Sequence, residues 1–545
     1  MRVIRYLRPL LPSRDDYRSL RHSWRGDVLA GITVGIVALP LALAFGVSSG
    51  AGAEAGLVTA IVAGLVAAVF GGSNIQVSGP TGAMVVVLGP IVASHGITAV
   101  ATVSLLAGVV VVVAGLAKLG RVVSYIPLPV IEGFTLGIAI IIFLQQVPAA
   151  LGVTAGTSTN AGIAAIQSFG TVAWPTVLWP VAVVAVIVAI MLLVPLIHQQ
   201  LPASIIAIAV VSVVAALLGA PLARIGELPP ALPAPRLPLI DLAMLQSLAG
   251  PILTVAALAA IESLLSARVA ASLSDTGPYD ADRELVGQGL ASIGAGFFGG
   301  MPATGAIART AVNLRSGGRT RLASIIHALV LLAVVYLATG VVSQIPLAAL
   351  SGVLMVTAAR MVSLATVRSV LGSTRSDAVV FILTAIITVS FDLIVAVGIG
   401  IAAAAFFALR NLARSGGVHR EELPLPAQPG DQRIALFRLD GALFFGAADR
   451  MLERVNAIQD VSVVIIRMSQ LQVLDATGAK VVTEMIHGLE RRGITVLVKG
   501  IQPEHLRTAA RVGVISSLRH HNHLFDDLDA AVAHARDHVS RTAAG

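Results

Sequence analysis

The sequence predicts an α-helical polytopic membrane protein of about fourteen segments followed by a small α/β domain. Three observations carry this. Of 545 residues, 56% are hydrophobic and only 12% charged. A soluble chain carries about 25% charge, so lipid must solvate most of this one. Apolar runs recur from residue 27 to residue 412, and near Pro424 the composition turns polar and proline-rich before strand and helix patterns alternate.

Composition narrows the class further. Aromatic residues make up 4% of the chain; Val, Ala, Leu, Ile and Gly carry its hydrophobicity, which suits close helix packing in a bilayer. The absence of Cys excludes disulfides, thiol chemistry and Cys-based metal sites. The net charge is +8, but nucleic acid is a poor explanation for it. Seven Arg in residues 1–25 (Arg2, Arg5, Arg8, Arg14, Arg18, Arg21 and Arg25) stand against Asp15 and Asp16. A basic flank beside an apolar span stays cytoplasmic by the positive-inside rule. No short apolar core with a small-residue cleavage site follows it, so a cleavable signal is not expected.

The apolar runs fall near 27–47, 54–71, 82–95, 97–117, 125–150, 174–194, 202–220, 246–271, 286–299, 303–314, 322–342, 346–365, 377–394 and 393–412. A spanning helix needs about 20 residues. The runs at 82–95, 286–299 and 303–314 are too short or too glycine-rich to span alone, and 393–412 is not cleanly separated from its predecessor. The organisation expected is a basic N-terminal segment over 1–25, a membrane domain over 26–415, a linker over 416–432 and an α/β domain over 433–540. In the last, "RIALFRLDGALFFGA" (433–447) reads as two short strands about a turn at Asp440–Gly441. "VSVVIIRM" (461–468) and "ITVLVKG" (494–500) read as buried strands, and 478–493 as a helix ending at Gly493. An even number of spans returns this domain to the cytoplasmic side.

Two stretches break the helical pattern in nearly the same way: "GPTGAMVVVL" (79–88) and "GMPATGAIART" (300–310). Lipid offers no hydrogen bonds, so such backbone is tolerated only inside protein or beside water. Pro80 and Pro302 remove donors and disfavour helix before them, and the neighbouring glycines permit unusual dihedrals. An apolar helical run starts just after each break. Each should therefore present a helix N-terminus, with free N–H groups and partial positive charge, in mid-membrane. Thr81 and Thr304 can cap these ends or donate to a ligand. One such break could be an ordinary loop. Two matching ones point to an anion site, and paired broken helices mark the binding sites of transporters.

Glu262 lies inside the apolar run "LTVAALAAIESLLSARVAA", with Ser266 one turn later on the same face. An intramembrane carboxylate is costly and reads as functional by default, although a purely structural partner for Ser or backbone groups is the alternative. Loss of water disfavours its charge and a nearby Arg309 would favour it; a carboxyl so balanced could carry a proton. Arg309 could pair with an anion or with Glu262, or simply mark the cytoplasmic end of its helix. Glu132 reads as intramembrane, and Glu54 and Asp392 as interfacial. His95, His198 and His327 lack metal-ligand spacing, so polar or interfacial roles are expected.

These motifs in this order resemble the SulP (sulfate permease, solute-carrier 26) family of anion transporters. The resemblance rests on "GDVLAGITVGIVALPLALAFG" (26–46), "FGGSNIQVSGPTGAMVVVLG" (70–89), "IESLLSARVA" (261–270) and the stretch 284–327. It covers nearly the whole chain and looks nearest to the bacterial C4-dicarboxylate branch. It implies fourteen segments in two inverted repeats of seven, with a core domain (segments 1–4 and 8–11) moving as an elevator against a gate domain (5–7 and 12–14). It implies substrate contacts at Val37 and Ala38, at Gly79, Pro80, Thr81, Gly82 and Ala83, and at Thr304, Gly305, Ala306, Ile307, Ala308 and Arg309, with coupling through Glu262 and Ser266. The sodium-coupled bicarbonate branch has Asp at position 262 and a hydroxyl residue at 307. Glu262 and Ile307 depart from that pattern and favour H⁺ over Na⁺, although Thr304 and backbone carbonyls could still ligate sodium.

"VLDATGAKVV" (473–482) resembles the loop and helix start of STAS domains, in whose relatives a phosphorylatable Ser stands where this chain has Thr477. Asp475 and Thr477 sit where a residue caps a helix; capping explains them, and a phosphate would also be welcome there. The family implies a homodimer and a cytoplasmic regulatory partner for this domain.

The function expected is secondary active transport of a small anion, proton-coupled, with C4-dicarboxylates such as fumarate or succinate first and sulfate next. The alternatives are sodium-coupled bicarbonate symport and an uncoupled channel or exchanger. The expected place is a bacterial inner membrane with both termini cytoplasmic. No GxxxxGK[ST] occurs, against an ATP-driven pump, and no nucleophile–base pair or metal cluster suggests an enzyme or a cofactor.

Overall fold

The computed structural model describes residues 8–17, 20–156, 158, 160–198, 201–238, 241–275, 277–391, 393–415, 417–424, 426–443 and 460–544. The chain forms two units, 1–402 and 403–545. Arg2, Arg5, Arg18 and Asp392 lie outside the described residues.

The first unit is helical: α1 (Leu20–Ser48), α2 (Ala53–Phe70), α3 (Gly82–His95), α4 (Thr98–Leu116), α5 (Leu128–Gln145), α6 (Ala161–Phe169), α7 (Leu178–Ile197), α8 (Ala203–Leu217), α9 (Leu242–Ser272), α10 (Ala281–Phe297), α11 (Ile307–Arg315), α12 (Arg321–Leu337), α13 (Leu347–Met361), α14 (Leu364–Ser373) and α15 (Arg375–Ser390). Helix α16 (Leu393–Ser415) follows. Among the described residues, eight helical stretches are long and apolar enough to cross a membrane. Leaving aside the short peripheral α6 and α14, the helices supply the fourteen segments, with α3 as the third and α11 as the tenth.

Several expected runs are redrawn by capping chemistry. Run 286–299 begins earlier, at Ala281, because the Asp280 carboxylate accepts the N–H groups of Asp282 and Arg283. Run 346–365 divides at Val362–Ser363, where Ser363 caps α14. Run 393–412 is a helix separate from α15.

Packing sorts the helices into two groups. In one, α10 lies against α2 and α4, α12 against α1 and α2, and α9 against α4. In the other, α15 lies against α5, and α13 against α5 and α7. The α4–α10 crossing is backbone on backbone. A Cβ on Gly108 would meet the Gly289 carbonyl at 2.6 Å, and one on Gly289 would meet the Gly108 carbonyl at 2.6 Å. Small residues permit such approach where no water squeezes helices together.

The second unit carries a five-stranded sheet in the order β3 (Gly417–Glu421), β4 (Ile434–Leu443), β5 (Val463–Leu474), β6 (Thr495–Lys499), β7 (Leu524–Phe525). Strand β3 is antiparallel to β4 and the remaining pairs are parallel. The β5 run is apolar on both faces because helices cover both. Val464 and Ile466 pack with Val482, Met485 and Ile486 of α17 (Ala476–Arg491). Val463 and Ile465 pack with Ala531, Val532 and Ala535 of α19 (Leu528–Ala544). A further helix, α18 (Pro503–Val512), joins the α17 side.

Two expectations are corrected here. The stretch 434–443 is one strand rather than two about a turn: Gly441, at φ 74°, sits in a register irregularity of β4. Residues 444–447 of that expected pair lie outside the described residues. The expected linker 416–432 contains β3, which satisfies the outer edge of β4.

Candidate functional site

The two breaks meet. Ser78–Gly79 (β1) and Thr304–Gly305 (β2) form a two-residue antiparallel ladder, with Ser78 opposite Gly305 and Gly79 opposite Thr304. The ladder continues outward: Ala306 N–H donates to the Val77 carbonyl at 2.8 Å, and Val77 N–H to Thr310 Oγ1 at 3.0 Å. Asn313 Nδ2 donates to the Ile75 carbonyl at 2.7 Å. Strand pairing meets the backbone demand that the missing helical turns leave. It also starts α3 and α11 side by side.

Neither helix start has a side-chain cap. Thr81 occupies the N-cap position of α3, but its hydroxyl turns away from the helix to Glu262, and Thr304 does the same. Thr81 Oγ1 lies 2.7 Å and Thr304 Oγ1 2.7 Å from Glu262 Oε2. The two hydroxyls are 3.0 Å apart. Three oxygens so placed make three contacts. Two hydroxyls supply two hydrogens, and a protonated Glu262 supplies the third and closes the ring; a charged Glu262 leaves one contact without a hydrogen.

Arg309 is buried and reaches across to the first break, where Nη2 donates to the Pro80 carbonyl. Among the described residues it makes no ion pair with Glu262, so the expected direct pairing is not seen. Its Nη1 has no hydrogen-bond partner, and neither does the buried Ser266 Oγ. Gly79, at φ 155°, leaves room for the guanidinium: a Cβ there would lie 2.7 Å from Arg309 Nη1. Gly305 is equally confined, since its Cβ would collide with the side chain of Gln76 and lie 3.1 Å from Ser266 Cβ.

Val37 is half-buried and Ala38 buried on α1, which packs against α3 and α11. They can offer wall but no polar side chain. Gly82 abuts Ile142 of α5, and Ala83 is buried behind it. Ile307 is 44% exposed and Ala308 is exposed at the start of α11, while Ala306 is buried. Elsewhere, Glu132 is half-buried in α5 and Glu54 exposed in the first turn of α2. His327, expected to be interfacial or ordinary, is fully buried, and neither ring nitrogen has a partner.

Sequence reasoning missed the acids that hold the broken segments from behind. Asp16 pairs with Arg283 at 3.0 and 2.7 Å, and Arg321 lies 3.9 Å away. Burial works against the Asp16 charge but is outweighed by Arg283, the Ser13 N–H and Arg321, so its carboxyl stays below the usual value. Asp27 is buried and accepts Arg319 N–H, Thr320 N–H and the Thr320 hydroxyl at 2.6–2.9 Å, which caps the entry to α12. Glu284 accepts the N–H groups of Gly72 and Ser73, and Gln288 links it to Ser78. Only the negative charge of these residues was visible in the sequence; their partners Gly72, Arg283 and Arg319 are over 200 positions away.

In the second unit, Asp475 Oδ1 accepts Gly478 N–H at 2.7 Å and caps α17, while Thr477 is exposed in the first turn. Asp475→Ala is expected to cost the α/β domain about 1 kcal/mol, read as an earlier unfolding transition of that domain in urea.

Comparison with known proteins gives this geometry its context. Residues 24–384 match the sulfate permease family and residues 426–531 the STAS domain. YvdB of Bacillus subtilis (strain 168), provisionally named a sulfate transporter, is 32% identical over 521 residues, 92% of this chain and 96% of its own. The bicarbonate transporter BicA of Synechocystis sp. (strain ATCC 27184 / PCC 6803 / Kazusa) is 32% identical over 540 residues, 94% of each chain. Among solved structures, the transmembrane domain of a cyanobacterium BicA superposes with a TM-score of 0.60 at 32% identity, over 70% of this chain and 97% of that one. The inward-facing murine anion transporter Slc26a9 superposes with a TM-score of 0.83 over 98% of this chain and 95% of its own; at 17% identity it shares the fold. With the family matched across the membrane helices and STAS beyond them, this chain belongs to the sulfate permease family, as an anion transporter rather than an enzyme.

Proposed function

We propose that the protein carries a small oxyanion or carboxylate inward together with a proton, and that Glu262 carries the proton. The observation that carries this reading is the Thr81–Glu262–Thr304 triangle where the two breaks meet, because its hydrogen count is complete only when Glu262 is protonated. The uncapped starts of α3 and α11 supply N–H groups and partial positive charge for the anion. The unmet Arg309 Nη1 and Ser266 Oγ are further donors beside them. Val37, Ala38, Ile307 and Ala308 would wall the site. C4-dicarboxylates such as fumarate and succinate lead as substrates and sulfate follows. The proposed setting is the bacterial inner membrane, with both termini cytoplasmic, a homodimer, and Asp475 and Thr477 at a regulatory face of STAS.

Sodium-coupled bicarbonate transport is the second reading, favoured by the 32% identity to BicA along nearly the whole chain. Against it, the Ile307 side chain has no oxygen with which to ligate sodium. The test is uptake of labelled fumarate, sulfate and bicarbonate into proteoliposomes under an inward proton gradient and, separately, a sodium gradient. Proton-driven accumulation of fumarate or sulfate is expected. Sodium-driven bicarbonate uptake would establish the second reading, and purely downhill flux would make the protein a channel or exchanger.

A further inference from the structure

Two crossings connect the helix groups at one end of the first unit, and they are stitched to each other. The segment after Leu217 leads from α8, which packs on α7, to α9. The segment after Leu337 leads back from α12 to α13. Arg224 of the first and Pro346 of the second form an antiparallel bridge. Leu347 N–H donates to the Ala223 carbonyl at 2.8 Å, Ile225 N–H to the Ile345 carbonyl at 3.0 Å, and Gly226 N–H to the Ser343 carbonyl at 3.3 Å. Arg224 Nη1 also donates to Gln344 Oε1. The stitch is fastened to the group of α7, α8 and α13. Pro346 is the N-cap of α13, and Ala220 N–H donates to the Ala215 carbonyl at the end of α8, at 3.0 Å.

Beyond the stitch the first crossing turns to the other group. Leu228 and Leu232 share a small cavity with Leu57 and Val58 of α2 and Val335 of α12. Arg236 N–H donates to the Phe297 carbonyl at the end of α10, at 2.7 Å. Pro229, Pro230, Pro233 and Pro235 lie in this stretch. Each fixes φ and lacks an N–H, so the stretch is a stiff strap rather than a slack loop. Between stitch and strap stand Gly226 and Glu227, both exposed. Gly226 has φ 87° and open space where a Cβ would be. On the returning crossing the matching interval runs from Ala338, where α12 ends, to the exposed Gly340; Val342 and Ile345 beyond it are buried.

We propose that stitch and strap form one two-point joint. The stitch stays with α7, α8 and α13, the strap stays with α2, α10 and α12, and movement between the groups is taken up at Gly226–Glu227 and at Ala338–Gly340. Hinges are a few loop or element-end residues that absorb the change in φ and ψ. Gly226, Glu227 and Gly340 are exposed, so packing does not resist rotation there. Because the stitch ties the crossings together, the two points bend as a pair, and the groups pivot at this end without shearing apart. The joint rests on the movement of one group against the other that the proposed transport requires, and on neither the identity of the anion nor that of the coupled ion.

The chain has no Cys, so introduced thiols are its only ones. Arg224 and Pro346 are the non-hydrogen-bonded pair of the bridge, whose Cα atoms stand about 4.5 Å apart, within reach of a disulfide. Arg224→Cys with Pro346→Cys should oxidise completely in the full-length protein. In proteoliposomes the disulfide should leave uptake of labelled fumarate, sulfate and bicarbonate as it is in the reduced form. A disulfide that does not form, or one that stops uptake until it is reduced, would overturn the proposal. Spin-label distances in nanodiscs read the movement without a known substrate. Leu178→Cys with Gln344→Cys (α7 to stitch) and Ala234→Cys with Leu337→Cys (strap to α12) should each keep one narrow distance in chloride, fumarate, sulfate or bicarbonate. Gln344→Cys with Ala234→Cys, across the joint, should give two distances, or one that shifts among these anions. A single unshifted distance across the joint, or a split distance within either body, would also overturn it. If the wild type took up none of the three anions, the transport reading would fall, and the distances would still decide the joint.

Discussion

Replacing Glu262 by Gln is expected to abolish proton-driven accumulation while leaving the protein folded. The amide matches the carboxyl in shape and keeps a donor and an acceptor for Thr81 and Thr304, which lie 2.7 Å from Oε2, but it cannot titrate. An inward gradient of one pH unit, about 1.4 kcal/mol, supports about tenfold accumulation of a substrate carried with one proton. In proteoliposomes the wild type should approach that ratio, and Glu262→Gln should not exceed equilibration. Uptake by the variant should also lose its dependence on pH. Accumulation undiminished in Glu262→Gln would remove Glu262 from the coupling step, whatever the substrate.

The second large effect is on stability. Asp16→Ala leaves Arg283 and Arg321 without their shared carboxylate, and these side chains are only 9% and 1% exposed. Breaking a buried pair by removing one partner costs about 3–5 kcal/mol, because the remaining charge stays buried. A clear fall in the thermal unfolding midpoint in detergent is expected. Asp16→Ala with Arg283→Met should recover part of the loss, since a buried apolar residue of similar length has no charge to satisfy. The pH dependence has a definite sign. The Asp16 carboxyl is held below its ordinary value, so its contribution is present above the usual aspartate range and is lost as pH falls through the lower, folded value. A midpoint unmoved by Asp16→Ala would show that the N-terminal segment does not brace the helices.

The parts of the site legible in the sequence were those that offend against lipid. Pro80, Pro302 and their glycines stop helices where no water can take the freed hydrogen bonds. Glu262 is an acid in a run of apolar residues. Both signals are local and carry a large penalty, so few readings survive. The Asp16–Arg283 and Asp27–Thr320 contacts gave no such signal. Each joins residues more than 260 positions apart; Asp16 sits in a segment whose many arginines already explained it as cytoplasmic flank, and Asp27 stands at the very start of the first apolar run. Asp440–Gly441 misled for another reason. A glycine with positive φ serves a bulge as well as a turn, and only the pairing of 441–443 with β5, further along the chain, tells them apart.

The ladder between β1 and β2 has a consequence for how the two sides of the membrane are treated. It binds the starts of α3 and α11 into a single object; in an elevator motion of the kind the family resemblance implies, the donors offered to an anion would travel with it and would not be rebuilt on arrival. Any difference in affinity between the inward and outward faces would then come from what slides past that object, such as Ile142 of α5 against Gly82. Directionality would thus be written in the stationary wall, and altering the residue at 142 should tilt the balance between loading and release while leaving the choice of anion intact.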